Sequence, residues 1–490
     1  MYLLDQYRGT CVSCRYSIPP KLLGPESKDE LVRVVEKAIA GTVLKHPVLQ
    51  VAIIDANSKS PVWAQLETID LRQHVTWRFN SSAADLDGLL QGLIGDEVDA
   101  TYPELDTRPG WRITVVRPQD TNLLEILFTY NHPHCDGLSG KIYHESLLQS
   151  LNTATPGTDT ENTMDTTSII RLPDSPLELP PPVEDIRKLP LTIPFILKTM
   201  WEEWGPTALT AKPTLARWGP IPSPFKTQVR AFTVEADDAL ANILLACRQH
   251  DTTLTGLLHA LTLASIASQL PEDVAPAFAS GTTVDMRRHV DSHPPACPWL
   301  QPDCTMGNFV TIMTHELDRG LVSEVRSFLS RSEGEGAGRC REVLSNEVLD
   351  LIWSAAAAVR RELEHRLEMG LRDDIVGVMR FVGDWQQEMA SAARRPRRHS
   401  WWITGIGVMD GTAKADSGHS DENSWAIQRA QFALSTETTA AAINISPLTV
   451  AGERLCVTGS WQDCLFDVSF GERVMADLEC WLSQLAQGFT

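Results

Sequence analysis

The spacing of apolar residues predicts a chain in which helices and strands are mixed from the start. Ser27 and Glu30 form a capping-box pair, which predicts the beginning of a helix. Apolar residues then recur at helical spacing up to Pro47, and a strand over 48–54 is predicted to come next. The first fifty residues therefore predict one amphipathic helix and one strand.

A short polar segment comes after a predicted hairpin in the first third of the chain. Residues 111–116 and 123–130 are two β-rich runs separated by turn residues, which is typical of a hairpin. The sequence NHPHCDG comes next, and the apolar residues of 138–151 then recur at helical spacing. Residues 131–137 are thus predicted to form a tight strand-to-helix loop, a place where side chains are exposed while rigid elements hold them.

A change of composition divides the chain. Residues 153–191 are rich in Thr, Asp and Pro and cannot fill a core, so they are predicted to be a crossing linker between an N-terminal domain, 1–152, and a C-terminal domain, 192–490. The second domain is predicted to contain helices near 236–249 and 253–269, strands near 278–285 and 308–315, charged helices up to about 390, a strand-rich end over 401–461 and a terminal helix at about 471–486. This mixed order favours an α+β fold of two-layer sandwiches over a doubly wound parallel sheet.

The composition is that of a folded protein, with 43% hydrophobic and 22% charged residues in 490. The net charge of -20 repels polyphosphate, so no nucleic-acid partner is expected. One basic run, Arg394, Arg395, Arg397 and Arg398, is open to two interpretations: a solvated loop, or a dock for the phosphates of a nucleotide-bearing cofactor.

Cysteine usage and targeting signals indicate the compartment. The ten cysteines are scattered, and Cys11 and Cys14, the only close pair, are predicted to lie on a strand. Reduced thiols are therefore expected. No signal peptide and no membrane span is apparent, which predicts a cytoplasmic protein that has no membrane partner.

The polar loop carries the candidate chemistry, and three interpretations of it compete. His132 can act as a general base, because imidazole titrates near neutral pH, while Asp136 shapes the loop. Alternatively, His132, His134 and Asp136 could bind a metal, but Gly137 stands where a further histidine is needed and the other ligands are missing, so no metal is predicted. In the third interpretation both histidines only satisfy backbone groups in a turn.

The loop HPHCDG resembles the HxxxDG signature of the chloramphenicol acetyltransferase-like superfamily, which includes BAHD acyltransferases, peptide-synthetase condensation domains and fungal alcohol acetyltransferases. Four further segments resemble landmarks of these families in the expected order: VDMR at 284–287, MGNFV at 306–310, TGIG at 404–407 and residues 443–463. The plant-type DFGWG motif is absent and Asn131 replaces the first histidine of condensation domains, so the fungal alcohol acetyltransferase branch is favoured.

This resemblance implies two chloramphenicol acetyltransferase-like domains packed around a central substrate tunnel. His132 would be the general base, and Asp136 would pair with Arg287, or with Arg288, to shape the loop. The implied reaction moves an acyl group, by default acetyl, from acyl-CoA to a hydroxyl of a small and mostly apolar metabolite. No covalent intermediate and no bound cofactor are implied.

Other residues near the motif have open roles. Gly137 suits either a sharp turn with positive φ or an ordinary helix start. His134 could orient the substrate or make a structural hydrogen bond, and Trp402 and Thr404 could bind substrate across the tunnel or simply fill a strand. Cys135 is expected to pack in the core rather than serve as a nucleophile.

Two rival functions remain. A condensation-type catalyst would take its acyl group from an acyl carrier protein and form an ester or an amide. A non-catalytic family member would bind a metabolite, although the intact motif argues against it. The expected partners are thus a small alcohol and an acyl thioester, with a carrier protein as the alternative, and a monomer is expected.

Overall fold

The computed structural model describes residues 8–81, 86–119, 121–153, 168–205, 215–219, 225–236, 238–331, 344–412, 424–435 and 441–487. The strands are β1 Thr10–Ser17, β2 Val51–Ile54, β3 Val62–Gln65, β4 Thr68–Asp70, β5 Val75–Ser81, β6 Trp111–Pro118, β7 Leu123–Tyr130, β8 Ile169–Arg171, β9 Thr227–Val234, β10 Phe278–Asp285, β11 Val310–Leu317, β12 His399–Ile403, β13 Val408–Met409, β14 Ala426–Leu434, β15 Ala441–Val450 and β16 Leu455–Gln462. The helices are α1 Lys28–Lys45, α2 Leu86–Asp99, α3 Gly137–Thr153, α4 Val183–Ile186, α5 Ile193–Trp204, α6 Asp238–Gln249, α7 Leu254–Gln269, α8 Arg319–Arg331, α9 Asn346–Met369, α10 Ile375–Val378, α11 Trp385–Ala392 and α12 Val468–Ala486. The predicted α+β class is confirmed. Among the described residues, no helix combines the length and the apolar character needed to span a bilayer.

The first sheet has the strand order β14-β1-β7-β6-β5. Alternate residues of a strand point to opposite faces, and Val12, Cys14 and Tyr16 of β1 accordingly enter one core. Helices α1 and α3 cover that face, while α2 packs on the other face through a smaller apolar cluster. The sheet is therefore buried on both sides, and the candidate loop leaves it at the end of β7.

The second sheet has the order β11-β10-β12-β15-β16-β9, with β13 paired to β15. Its core contains the large buried side chains of Trp401 and Trp461, and α7, α9 and α12 supply most of the helical side of that core. Helix α7 is apolar almost all round, which explains why it lies at the centre of this layer. The two large sheets, each with its helices, correspond to the two α+β sandwiches that the sequence predicts.

One strand crosses between the halves. β14 comes from the predicted C-terminal domain, yet it pairs antiparallel with β1 of the first sheet, from Thr10 opposite Leu434 to Ser17 opposite Ala426. β8, within the predicted linker, likewise pairs with β4. A division into contiguous domains at 153–191 does not anticipate these pairings, because hydrogen bonds between distant segments leave no local signal in composition.

Local predictions differ from the structure mainly at element ends. The strand predicted over 48–54 begins only at Val51, because Pro47–Gln50 forms a 3-10 turn with proline in its first position, where the fixed φ and missing N–H are tolerated. The terminal helix begins at Val468 instead of 471, because the Asp467 carboxylate accepts a hydrogen bond from the N–H of Ser469 and caps it.

Cys11 and Cys14 lie on a strand, as predicted, but not every cysteine is a reduced thiol. Cys11 and Cys14 lie on opposite faces of β1 and enter different apolar clusters, so they cannot share a metal ion. Eight cysteines of the described chain are free thiols. Cys480 is disulfide-bonded, so the expectation of reduced thiols is wrong for this residue.

The close approach of α3 to β1 leads to a stability prediction. A methyl group at Gly140 would overlap Val12 and lie 2.9 Å from the hydroxyl oxygen of Tyr130, whereas one at Gly92 of α2 would meet nothing within 4 Å. Gly140→Ala should cost about 1–3 kcal/mol through overpacking, measured by urea denaturation. The matched change Gly92→Ala should stabilise by about 0.5–1 kcal/mol. Equal stability of parent and Gly140→Ala would contradict the tight packing.

Candidate active site

The HPHCDG loop is a tight connection between β7 and α3. The N–H of His134 donates to the carbonyl of Asn131 at 3.1 Å, which turns the chain back at once. The hydroxyl of Tyr130, the last residue of β7, donates to the carbonyl of Asp136 at 2.7 Å. The loop is thus a tight strand-to-helix connection, as the sequence predicts, and its far end is tied back to β7.

Asp136 and Arg287 form a buried, bidentate ion pair. Arg287 Nη1 lies 2.7 Å from Asp136 Oδ2, and Nη2 lies 3.1 Å from Oδ1. The two side chains are only 1% and 3% exposed. Burial alone would raise the pKa of Asp136, but the charge and hydrogen bonds of Arg287, with the N–H of Phe309, lower that pKa overall. The alternative partner Arg288 is exposed and does not take part.

A second set of contacts clamps the loop to the segment before β11. The Ser139 hydroxyl donates to Asp136 Oδ1 at 2.8 Å, and the N–H of Phe309 donates to Oδ2 at 2.9 Å. The N–H of Asp136 in turn donates to the carbonyl of Gly307 at 3.1 Å, and Arg287 reaches that carbonyl as well. Both carboxylate oxygens of the aspartate are therefore occupied by hydrogen-bond donors.

His132 is partly exposed, as are Pro133 and Gly137, whereas His134, Cys135 and Asp136 are buried. Burial lowers the pKa of the His132 imidazole, although its own backbone, the charge of Asp136 and the side chain of Asn308 act in the opposite direction. The ring is consequently neutral at neutral pH and can accept a proton. These are the properties that a general base requires.

His134 and Cys135 point into the protein. The Nδ1–H of His134 donates to Asn131 Oδ1, its Nε2 accepts from the N–H of Gly110 at 3.3 Å, and the Trp63 ring packs edge-on at 4.8 Å. Burial lowers the pKa of His134 to about 4. Cys135 is fully buried in the first core, and burial raises the pKa of its thiol. A substrate contact for His134 finds no support in this geometry, because the loop turns instead of running extended.

Gly137 is required by crowding. It begins α3 with an ordinary φ, and a methyl group there would lie 2.7 Å from the Phe432 ring and 3.0 Å from Ile406 Cγ2. Of the two possibilities for this glycine, the helix start is the one observed. The same contacts bring the TGIG turn and β14 against the motif.

Trp402 and Thr404 lie at the end of β12 that leads to this turn. Trp402 is paired in register with Asn444, and its buried indole N–H has no hydrogen-bond partner among the described residues. The Thr404 hydroxyl lies 3.0 Å from Asn444 Oδ1 and 2.8 Å from the Ser446 hydroxyl, while Asn444 Nδ2 donates to Ser446. Thr404 thus belongs to a closed polar triangle that the sequence did not reveal.

The remaining candidates have structural partners. Arg397 is buried and donates to the carbonyl of Ala441, and Arg398 pairs with Glu316, so two arginines of the basic run are used by the fold and are not free to dock phosphate. Within the described parts of the chain, no three metal-ligating side chains form a group. A metal at Asp136 would have to displace Arg287 from both carboxylate oxygens.

A cavity of about 480 Å³ lies between α5 and residues 381–395. Its lining includes Met200, Trp204 and Phe381, and none of its lining residues belongs to the HPHCDG loop. The central tunnel through His132 stays a prediction.

Sequence analysis missed three residues that hold the loop: Ser139 on α3, and Asn308 and Phe309 in the C-terminal half. Ser139 and Phe309 bind the aspartate, and Asn308 binds the backbone of His132 and Pro133. The MGNFV segment was the available signal, since a Gly-Asn pair before a strand suggests a turn with a functional contact, but its partner is 176 residues away.

The buried ion pair leads to a second stability prediction. Arg287→Ala leaves the Asp136 carboxylate buried without its cation and should cost about 3–5 kcal/mol, measured by urea denaturation. The double variant Arg287→Ala with Asp136→Asn should recover part of that loss, because the uncompensated charge is gone.

The exposed pair Arg33 and Glu30 provides the matched control. Arg33→Ala should change the free energy of unfolding by about 0–1 kcal/mol. A cost for Arg287→Ala as small as that of Arg33→Ala would show that the buried pair does not hold the loop.

Comparisons of sequence and of fold both show that the chain is similar to known acyltransferases. The family model for alcohol acetyltransferases matches residues 65–292, a range that includes the HPHCDG loop and Arg287. A probable alcohol acetyltransferase of Fusarium pseudograminearum, FCK4, is 24% identical over 467 residues, which cover 93% of this chain and 86% of that protein.

Two solved structures share the fold. The trichothecene 15-O-acetyltransferase TRI3 of Fusarium sporotrichioides superposes with a TM-score of 0.66 at 13% identity, covering 98% of this chain and 91% of that one. The first condensation domain of the CDA synthetase gives a TM-score of 0.56 at 13% identity, with 99% and 93% covered. These findings confirm the predicted resemblance: the chain is similar in sequence to the fungal alcohol acetyltransferases and has the fold of the condensation-domain and chloramphenicol acetyltransferase-like acyltransferases.

Proposed function

We propose that the protein is an acyl-CoA-dependent O-acyltransferase with His132 as its general base. One observation carries this proposal: the partly exposed His132 imidazole stands on a loop that the buried Asp136–Arg287 pair fixes. Burial lowers the pKa of this ring, which favours its neutral form. The likeness to alcohol acetyltransferases supports acyl transfer as the reaction class.

In the proposed reaction, the His132 imidazole removes the proton of the acceptor hydroxyl while the oxygen of that hydroxyl attacks the thioester carbonyl. The protonated ring then gives that proton to the departing thiolate, and ester and free thiol are released. Asp136 takes no proton, because five hydrogen bonds already occupy its carboxylate. Acid-base catalysis of this kind contributes about 10² to 10⁴-fold, and alignment of the two reactants supplies more.

The proposed acceptor is a small, mostly apolar metabolite with one hydroxyl in reach of His132. This class is consistent with a probable alcohol acetyltransferase and a trichothecene 15-O-acetyltransferase among the similar proteins. Acetyl-CoA is the proposed donor, by the same likeness. We also propose a cytoplasmic location. The free thiols of eight cysteines, including exposed Cys304, support it, and the disulfide-bonded Cys480 is the one observation against it.

A carrier-bound donor is the second candidate, favoured by the fold shared with a condensation domain. The two donors present the same thioester on a pantetheine arm and differ only in the group that carries this arm, a nucleotide or a protein. Rates with acetyl-CoA and with an acetylated carrier protein, measured side by side with alcohol and amine acceptors, separate the two functions.

Loss of the base is the first test. His132→Ala should lower the rate of free-thiol release from acetyl-CoA with an alcohol acceptor by about 10² to 10⁴-fold. Exposed His365, on α9, supplies a matched control, and His365→Ala should keep the parent rate. Undiminished release in a folded His132→Ala variant would refute the proposed role.

The pH dependence of kcat/KM is the second test. The pKa of His132 is lowered from its usual 6.5. The reactive neutral form therefore prevails at neutral pH and is lost as the pH falls through the lowered pKa. Activity should be level at neutral pH and should decline with an apparent pKa below 6.5. A midpoint above 7 would indicate a different base.

A further inference from the structure

Helix α5 turns its apolar side chains outward. Among its described side chains only Thr199 is buried, whereas Ile193 and Leu197 are 73% and 63% exposed. The exposed apolar residues recur at the spacing of a single helix face: Ile193, Leu197, Met200, Trp201 and Trp204. A surface helix of a globular protein ordinarily packs such a face against the core, so α5 presents an apolar face that the fold leaves uncovered.

Hydrogen bonds at its two ends hold α5 in this position. The N–H of Thr192 donates to Asp373 Oδ1 at 2.6 Å, and the hydroxyl of Thr192 donates to Oδ2 at 3.1 Å. At the other end, the indole N–H of Trp204 donates to Glu388 Oε2 at 2.9 Å. An isolated helix of 12 residues is marginal in water, so these contacts help to keep α5 folded. They fix the helix without covering its apolar face.

Three side chains of the segment beside α5 extend this face. Met379, Phe381 and Trp385 are exposed, and Phe381 lines the cavity of about 480 Å³ together with Met200 and Trp204. The apolar patch is defined by these exposed residues: Ile193, Leu197, Met200, Trp201, Trp204, Met379, Phe381 and Trp385. Single exposed apolar residues are normal, but a cluster of large ones marks a site that binds a protein or a membrane.

Three cations surround the apolar patch, although the whole chain carries a net charge of -20. Lys198 is exposed next to Leu197, and exposed Arg380 lies with its guanidinium carbon 5.0 Å from the centre of the Phe381 ring. Arg394 is exposed just after α11. Within the described chain, none of the three cations takes part in an ion pair.

Three acids around the patch, by contrast, have partners. Asp384 lies 2.8 Å from Lys59, Glu202 lies 3.6 Å from Arg398, and Glu388 accepts the hydrogen bond from the end of α5. Salt screens exposed charges beyond about 8 Å at physiological ionic strength, so acids farther away contribute little at the patch. Among the described side chains, the uncompensated charge around the patch is therefore positive.

A membrane surface is complementary to both features. Tryptophan is enriched where a bilayer meets water, and the patch contains Trp201, Trp204 and Trp385. Lysine and arginine are attracted to the headgroups of anionic lipids. A second copy of the chain is less complementary, because a two-fold contact through this patch would bring the same three cations of both chains together.

We propose that the apolar patch binds the surface of an anionic phospholipid membrane, with α5 lying in the interface and Lys198, Arg380 and Arg394 against the headgroups. This proposal replaces the expectation of no membrane partner, which rested on the lack of a spanning segment, because a helix that lies in the interface needs no spanning length. The cytoplasmic faces of membranes carry anionic lipids, in agreement with the proposed location. The proposal goes beyond acyl transfer and does not depend on it.

Flotation of the purified full chain with lipid vesicles, in the absence of acyl-CoA and acceptor, tests the proposal. The parent should float with vesicles of mixed phosphatidylserine and phosphatidylcholine, and should bind vesicles of phosphatidylcholine alone about 10-fold more weakly. Leu197→Asp should weaken binding to the mixed vesicles by about 10-fold or more, because it removes an apolar side chain from the interface and adds a negative charge.

Leu245→Asp is the matched control, because Leu245 is an exposed leucine of α6 outside the apolar patch. It makes the same change of charge and should bind as the parent does, and circular dichroism verifies that both variants are folded. Equal binding by the two variants, or failure of the parent to bind either kind of vesicle, would overturn the proposal. A lipid-free dimer that Leu197→Asp dissociates, seen by sedimentation velocity, would assign the patch to a second copy and overturn it as well.

A second variant tests the cations while the apolar patch stays intact. The double change Lys198→Gln with Arg394→Gln should remove most of the preference for phosphatidylserine, about 10-fold in binding, and should leave the weaker binding to phosphatidylcholine as it was. Exposed Lys21, far from this segment in the chain, provides the control, and Lys21→Gln should keep the preference. A preference that survives the double change would contradict the role of the cations.

Discussion

The carboxylate of Asp136 and the guanidinium of Arg287 meet inside the protein although 151 residues of chain separate them. Neither charge could be buried alone, and their mutual attraction compensates for desolvation only when every remaining hydrogen-bonding position is filled. Ser139 and Phe309 fill those positions, and these contacts determine the geometry of the loop. The Asp136 carboxylate thus joins the start of α3 to the turn before β11, and this connection ties the two halves of the chain together.

This arrangement separates two tasks that many histidine sites combine. Asp136 holds the backbone next to the proposed base, and its charge is compensated by Arg287. It raises the pKa of His132 less than burial lowers that pKa. Burial then dominates the titration of His132 and keeps the ring neutral. If His132 is the base, as we propose, it benefits from this, because a neutral ring can accept a proton as soon as the substrate arrives.

The sequence predicted most elements and the identity of the central residues, and its failures at the site share one physical cause. Apolar spacing located α3, β7 and the terminal helix within a few residues, and HPHCDG together with VDMR indicated that Asp136 pairs with Arg287. The direction of His134, the crowding at Gly137 and the polar triangle at Thr404 depend on side chains far away in the sequence. Such contacts leave no periodicity, and only the folded backbone brings them together. Asn308 belongs to the same group, because no residue near it in the sequence indicates that it binds the backbone of His132.

The pairing of β14 with β1 has a consequence for how the protein is made. On the ribosome, β1 appears first and can join β7 early, but its other edge stays open until residue 434 has been synthesised. An unpaired strand edge attracts other chains, and the exposure lasts for most of translation. The N-terminal half cannot complete its sheet as an independent unit, so nascent chains of this protein should depend on protection of that edge, and truncations that end before β14 should be recovered as aggregates.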